Sequence, residues 1–387
     1  MNITDVLTGY DLDQLTIGAL GGHSGLDTAH GASQFGFRNV IVAQEGREKT
    51  YTEHFKKRDE GSEYEHGCVD EVILVKKFQD ILQKNVQDKL RKLNTIFIHN
   101  RYFWVYFDDF SKVENDFDVP IFGSRTLLKL EERDQPYNQY HLLHDAGIRT
   151  PKIYREKGVG SRDRIDRPVI VKAAEAQRGY ERAFFIVSSD EELESVGAEF
   201  ESKGKVSSNW REATVEEFVV GAPVNFNFFY SPLTGELELI GTDTRRQTNL
   251  DGFLRMTAPQ QEKALGHVDL KMIETGHIAC TVKESIIEKA YDLGWKFVKQ
   301  TQKLPKELDP SGKGIIGPFA LQGAVVAEEG KEDIVIFDVS FRIPGSPGTF
   351  ATPYSGYLYG SSMSVGERVG LEIKRAKEEK RLADLVT

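Results

Sequence analysis

Residues 15–43 constrain the fold of this chain more than any other segment. LTIGAL at 15–20 is an apolar run of strand length, and GGHSG at 21–25 supplies a turn. Residues 26–35 carry helical spacing closed by Gly36, and RNVIVA at 38–43 is a second apolar run. Strand, crossover helix and strand form a β-α-β unit, which commits the chain to a parallel sheet with helices on its faces. Apolar runs at 72–75, 95–98 and 120–124 extend that sheet. The first ~120 residues therefore read as a doubly wound α/β domain. GGHSG lacks the spacing of a dinucleotide fingerprint, so no dinucleotide is inferred. It does place His23 and Ser24 where a strand's C-terminal end meets a helix N-terminus, a position that suits anions. A purely structural turn role fits His23 nearly as well. His99-Asn100-Arg101 stands at the matching end of the run at 95–98, on the crevice side of an open α/β sheet.

Beyond residue 124 the pattern changes. Residues 125–151 read as helical, with a restart at Asp134-Gln135-Pro136, since proline suits the first helical turn. His141 and His144 have ligand spacing but no third partner nearby, which favours packing over metal binding. A strand at 167–172 ends in Lys172, and AAEAQRGY (173–180) leads to a second strand at 184–187. A hairpin with a lysine on one strand and an arginine in its loop can fold over a polyphosphate. Residues 200–212 read as a polar connection and 215–221 as an edge strand. A hairpin around PLTG joins 225–230 to 237–241, and Asp243 to Gly252 follows as a loop rich in arginine, amide and acid. A helix is expected at 284–302, and strands at 317–326 and 334–342. In the last of these, Asp338, Ser340 and Arg342 alternate, and alternate side chains of a strand share a face. A carboxylate can hold Mg²⁺ and a guanidinium can grip a phosphate. The same alternation also describes an ordinary half-buried strand. Gln322 is expected to face the same region as Asp338, and residues 367–385 read as a charged amphipathic helix on the outside.

The net charge of −10 argues against a general nucleic-acid surface. Two cysteines, Cys68 and Cys280, suit neither a disulfide framework nor a zinc site and favour a reducing cytoplasm. The N-terminal MNITDVLTGYDLDQ has no apolar core of the kind a signal peptide needs. No apolar run approaches the ~20 residues of a membrane span.

Taken in order, the chain resembles the archaeal 5-formaminoimidazole-4-carboxamide ribonucleotide synthetases, ATP-grasp ligases of purine (IMP) biosynthesis. The resemblance covers nearly the whole chain. It rests on GGHSGLDTAHGASQFGF with VAQEGREKTY, FGSRTLLKLEERD, RPVIVKAAEAQRGY, EEFVVGAPVNFNFFYSPLTGELELIGTDTRRQTNLDG, GPFALQG, and IFDVSFRI with TPYS at 352–355. It implies a Rossmann-like pre-ATP-grasp domain at 1–124 and a two-lobed ATP-grasp unit at 125–387. Within that unit a lid lobe would occupy 150–220 and a catalytic lobe 221–387. It implies ATP held by Lys129, Lys172, Gln177 and Arg178, with adenine against Glu216, Glu217, Phe218 and Val219. Mg²⁺ or Mn²⁺ would sit at Gln322 and Asp338. His23, Ser24, Tyr102, Arg245 and Asn249 would meet the aminoimidazole carboxamide ribotide, while Arg342 and Asp338 serve catalysis. Formate would be phosphorylated to formyl phosphate and captured by the amine. A cytoplasmic homo-oligomer is also implied.

Four features depart from the family's pattern. Gln322 stands where the family has a metal-binding acid, Asp338 where it has glutamate, and Tyr102 where it has a serine. The loop after Lys172 has few glycines. These departures leave room for an ATP-grasp ligase of another carboxylate and amine, and for a nucleotide-binding protein without turnover.

Overall fold

The computed structural model describes residues 6–58, 66–107, 109–133, 135–156, 163–173, 183–268, 270–271, 273–328, 330–345 and 347–387. Its strands gather, in chain order, into three sheets. The first holds β1 (Thr16–Leu20), β2 (Arg38–Gln44), β3 (Glu71–Val75), β4 (Thr95–Ile98) and β5 (Ile121–Phe122), all parallel, in the order β3-β2-β1-β4-β5. The order reverses between β1 and β4, and their C-terminal ends open a crevice there. The helices Gly25–Gln34 and Lys84–Lys92 are among those that supply the crossovers.

The second sheet holds β6 (Ile153–Arg155), β7 (Val169–Ala173), β8 (Ala183–Val187) and β9 (Thr214–Glu217), in the order β6-β9-β7-β8. The third holds β10 (Ala222–Ser231), β11 (Glu236–Gln247), β12 (Glu274–Ala279), β13 (Gly317–Glu328) and β14 (Lys331–Ser340), all antiparallel, in the order β12-β11-β10-β13-β14. One face of the third sheet is apolar. Phe226, Phe228, Leu239, Phe319 and Leu321 bury there against Ile286, Ala290 and Phe297 of the helix Glu284–Thr301. The opposite face is polar around Asn225, Gln322 and Asp338, where it forms the floor of the site, while Phe229 and Ile240 elsewhere on it bury with Val365 and Val369 of the C-terminal helix.

Several expectations need correction. Among the described residues, 125–151 hold one tight helical turn, Leu127–Glu131, and the helix Gln139–Asp145. The restart is at Asn138, whose side chain accepts from Tyr140 N at 2.9 Å and so caps the helix, not at Gln135-Pro136; Asp134 lies outside the described residues. The segment in between is drawn into the site. The strand at 215–221 ends at Glu217 and is interior, because β6, too short to be recognised in sequence, pairs along its outer side. Residues 200–202 close the helix Asp190–Ser202. Arg245 and Arg246 lie on β11, not in a loop, since the unrecognised β12 prolongs the pairing.

The C-terminal helix Val365–Glu378 is not peripheral. It lies against Gly25–Gln34, and a Cβ at Gly31 would meet Gly366 O at 2.1 Å, so only glycine allows this approach. Arg368 is fully buried over the Phe229 ring and donates two hydrogen bonds to Glu238 (2.7 and 3.0 Å) and one to Glu372 (2.9 Å). Part of the charged pattern that suggests an outer surface, Arg368 with Glu372, is an internal ion network, while Lys374 and Glu378 on the same helix are exposed.

Candidate active site

The sheet register assembles the floor of the site. Asp243, Asn225, Gln322 and Asp338 are successive cross-strand partners on β11, β10, β13 and β14. Paired residues point to one face, so four polar side chains form a row across the sheet. Two residues along each strand, Arg245, Asn227, Ala320 and Ser340 share that face. All of these but Asp243, together with residues from the first two sheets, line a cleft of about 880 Å³.

Cations and acids interleave in this cleft. Arg133 donates to Asp338 Oδ1 at 3.0 Å, and Arg245 Nη2 lies 4.0 Å from Asp338 Oδ2. Arg245 also donates to the Gln322 side-chain oxygen and pairs with Glu274 at 3.3 Å. Gln322 Nε2 donates to Ser340 Oγ at 2.9 Å. Arg342 stands 3.4 Å from Glu131, whose carboxylate accepts from Phe341 N at 2.8 Å. Burial pushes the Glu131 carboxyl up, against the pull of Arg342.

Lys172 leaves β7 into the same cleft. It ion-pairs with buried Glu216 and donates to Tyr140 Oη (2.8 Å) and Phe337 O (3.3 Å). Burial, with Arg133 nearby, lowers its ammonium to about 8 despite Glu216. Lys129, also on the cleft lining, pairs with Glu114 at 3.1 Å.

At the other end, His277 bridges two acids. Nδ1 meets Asp243 and Nε2 meets Glu274 at 3.0 Å. Burial opposes its charge, but the hydrogen bonds and charges of Asp243 and Glu274 prevail and raise it to about 9. Asn225 and Asn227 donate to the two Asp243 oxygens at 2.8 and 2.6 Å, completing its shell.

His23 enters from the crevice at the end of β1 with φ +52°, a conformation uncommon outside glycine. Its Nδ1 lies 2.8 Å from Ser24 Oγ, and Ser24 donates to Pro344 O at 3.1 Å. Burial, then Arg342 and Arg101, hold its imidazole well below the ordinary range, hence neutral. Arg101 joins it from the end of β4; among the described residues no hydrogen bond or ion pair engages its guanidinium.

Of the residues singled out in sequence, His23, Lys129, Lys172, Arg245, Gln322, Asp338 and Arg342 line the cleft. Ser24 lies buried behind His23, and Tyr102 sits behind the crevice, its ring 5.2 Å from Phe78 and 6.4 Å from His23. Glu216 is buried beneath Lys172. Glu217, Phe218 and Val219 are half-buried at the end of β9 and do not line the cleft. Asn249 turns the chain after β11 and also lies off its lining. Gln177 and Arg178 lie outside the described residues. His141 accepts from Asn138 N within its own helix cap, and His144 is exposed. Sequence reasoning missed Glu131, Arg133, Glu274 and His277. The first two were hidden in an expected helix and the last two on the unrecognised strand β12.

Two family models match the chain: a protein of unknown function (DUF1246) over residues 17–154 and a domain of unknown function (DUF1297) over 192–387. A 5-formaminoimidazole-4-carboxamide-1-(beta)-D-ribofuranosyl 5'-monophosphate synthetase of Methanothermobacter thermautotrophicus is 35% identical over 389 residues, covering 100% of this chain and 98% of the relative. Among solved structures, an IMP biosynthesis protein PurP from Thermococcus kodakaraensis superposes with TM-score 0.65 at 23% identity, covering 96% of this chain and 100% of the other. An N5-carboxyaminoimidazole ribonucleotide synthetase from Thermotoga maritima superposes with TM-score 0.54 at 15% identity, covering 93% and 75%.

Proposed function

This chain belongs to the family of 5-formaminoimidazole-4-carboxamide-1-(beta)-D-ribofuranosyl 5'-monophosphate synthetases, with the doubly wound domain and ATP-grasp unit of that fold, and on that premise we propose that it joins formate to the 5-amino group of the aminoimidazole carboxamide ribotide at the expense of ATP. The observation that carries this reading is the convergence of Lys172, Arg133, Arg245 and Arg342 around Asp338 and Gln322 in one cleft. Such a cluster suits a polyphosphate, whose transfer needs positioning and charge neutralisation more than covalent help.

Formate does not react with amines until one oxygen becomes a good leaving group. A formate oxygen attacks the γ-phosphorus, the bond to the bridging oxygen breaks, and ADP leaves with the electron pair. The amine nitrogen then attacks the formyl carbon, the carbon–oxygen bond to phosphate breaks, and phosphate leaves. Lys172 and Lys129 hold phosphates, and Arg342 meets the charge that develops on the transferred group. His23 and Arg245 face the ribotide.

The donor set fits a divalent cation carried in on phosphates. Asp338 offers one carboxylate and Gln322 one carbonyl, and Mg²⁺ is commonly held by one or two carboxylates plus substrate phosphates. Among the described residues no group of three acids, histidines or cysteines offers an all-protein cage. When bound, Mg²⁺ or Mn²⁺ would supply charge neutralisation at the phosphates. We place the boundary between the two units at 124/125. Among the described residues no helix is long and apolar enough to cross a membrane; a cytoplasmic location is part of the proposal and follows from the small-molecule biosynthetic reading alone.

The test is ¹⁸O-labelled formate with Mg-ATP and the ribotide. One label in inorganic phosphate is the expected result, because the formate oxygen becomes the bridge that breaks. Formamido product with unlabelled phosphate would exclude formyl phosphate.

A further inference from the structure

Resting on the ligase reading above, the geometry points to His23 as the general base that takes the proton from the attacking amine, with Ser24 as the residue that positions it. Two neighbouring bonds decide the tautomer. Ser24 is buried and has one proton, which it donates to Pro344 O at 3.1 Å. Its oxygen is then left to accept, so the His23 Nδ1 at 2.8 Å carries the hydrogen. In a neutral imidazole the other nitrogen, Nε2, is then a lone pair.

Four further observations support the assignment. Ser24 occupies the N-cap of the helix Gly25–Gln34, where serine ordinarily accepts from the helix backbone, yet its side chain makes no cap bond. The hydroxyl is diverted to the imidazole. His23 keeps the left-handed conformation at φ +52°, and such strain concentrates at functional sites. A Cβ on Gly345 would lie 2.4 Å from Nε2 and 2.5 Å from Cε1, over the ring face, so glycine there lets the chain pack flat on the imidazole and hold its orientation. Burial beside Arg342 and Arg101 keeps the ring neutral.

The step balances. As the amine nitrogen bonds to the formyl carbon, one N–H proton passes to His23 Nε2. The carbon–oxygen bond to phosphate breaks, phosphate leaves with the electron pair, and the imidazolium returns its proton to phosphate or water. The adjoining Arg342 and Arg101 favour that return.

The discriminating experiment separates the two half-reactions in wild type, His23→Asn, His23→Gly and Ser24→Ala. Asparagine and glycine tolerate the left-handed backbone. Formate-dependent scrambling of ¹⁸O between the β,γ-bridge and the β-phosphate of ATP, measured without ribotide, reads phosphorylation of formate. Single-turnover formylation with ribotide reads the amine step. His23→Asn is expected to keep scrambling within about twofold and to lose roughly 10²–10⁴-fold in formylation. Exogenous imidazole should restore part of the loss in His23→Gly, more strongly as pH rises through the free imidazole range. Ser24→Ala should lower the formylation rate with little change in ribotide KM. It should also shift the acid limb of the pH profile, which is set by His23 among Arg342, Arg101, Glu274 and His277. Formylation by His23→Asn within about threefold of wild type would overturn the inference while scrambling still upheld the ligase reading. Absence of formate-dependent scrambling in the wild type would overturn that reading and the inference with it.

Discussion

Gln322 and Asp338 face each other across β13 and β14, and Arg245 bridges them, donating to the Gln322 oxygen and standing 4.0 Å from the Asp338 carboxylate. A guanidinium thus occupies ground that a second acid would hand to a cation. Gln322→Glu would add a full charge where there is now a dipole. It should tighten Mn²⁺ binding by roughly tenfold, since ligand charge sets affinity at such sites. Titration followed by electron paramagnetic resonance in the presence of ATP measures this, and unchanged affinity would remove Gln322 from the metal's surroundings.

Arg342 is buried, with its charge directed into the cleft beside Glu131. Arg342→Ala should lower ATP turnover about 10²–10³-fold through lost stabilisation of the transferring phosphoryl group. ATP affinity by calorimetry should change far less. An alanine variant with full turnover would exclude Arg342 from the chemistry.

His277 gives a stability signature in pH. Its folded value, about 9, lies above the ordinary 6.5 because Asp243 and Glu274 outweigh burial. A raised value means stability fully present below about 6.5 and lost as pH rises through 9, on the order of 3 kcal/mol in total. Thermal melts should therefore fall between pH 6.5 and 9.5, and His277→Gln should flatten that slope. An identical slope in the variant would refute the assignment.

Arg368 is held by Glu238 and Glu372 with no access to water. Arg368→Ala leaves two buried carboxylates without their cation and should cost about 3–5 kcal/mol in urea unfolding. A loss below about 1 kcal/mol would mean that the network is not buried in solution.

The first unit was legible in sequence because each of its β-α-β steps is local: the apolar runs and turn at residues 15–43 appear almost unchanged as β1, a helix and β2. The polar alternation of Asp338 and Ser340 was legible for the same reason, as was Gln322 opposite them. What stayed hidden depends on distant pairing. β6 has three residues and no periodic signal, yet it turns β9 from an edge strand into an interior one. β12 carries Glu274 and His277, and its ETGHIA pattern resembles a strand only once β11 lies beside it. Arg133 and Glu131 looked helical because their acidic and basic spacing is also that of a solvated helix. Arg368 and Glu372 show the converse: a charged helical face reads as exposed until Glu238, 130 residues from Arg368, is placed against it.

The most direct test of the central claim is ADP release with Mg-ATP, formate and the aminoimidazole carboxamide ribotide, omitting each in turn. Sustained release that requires all three, with one ADP per formamido ribotide formed, is the predicted result. Release independent of formate or of the ribotide, or no release while ATP still binds, would contradict the account.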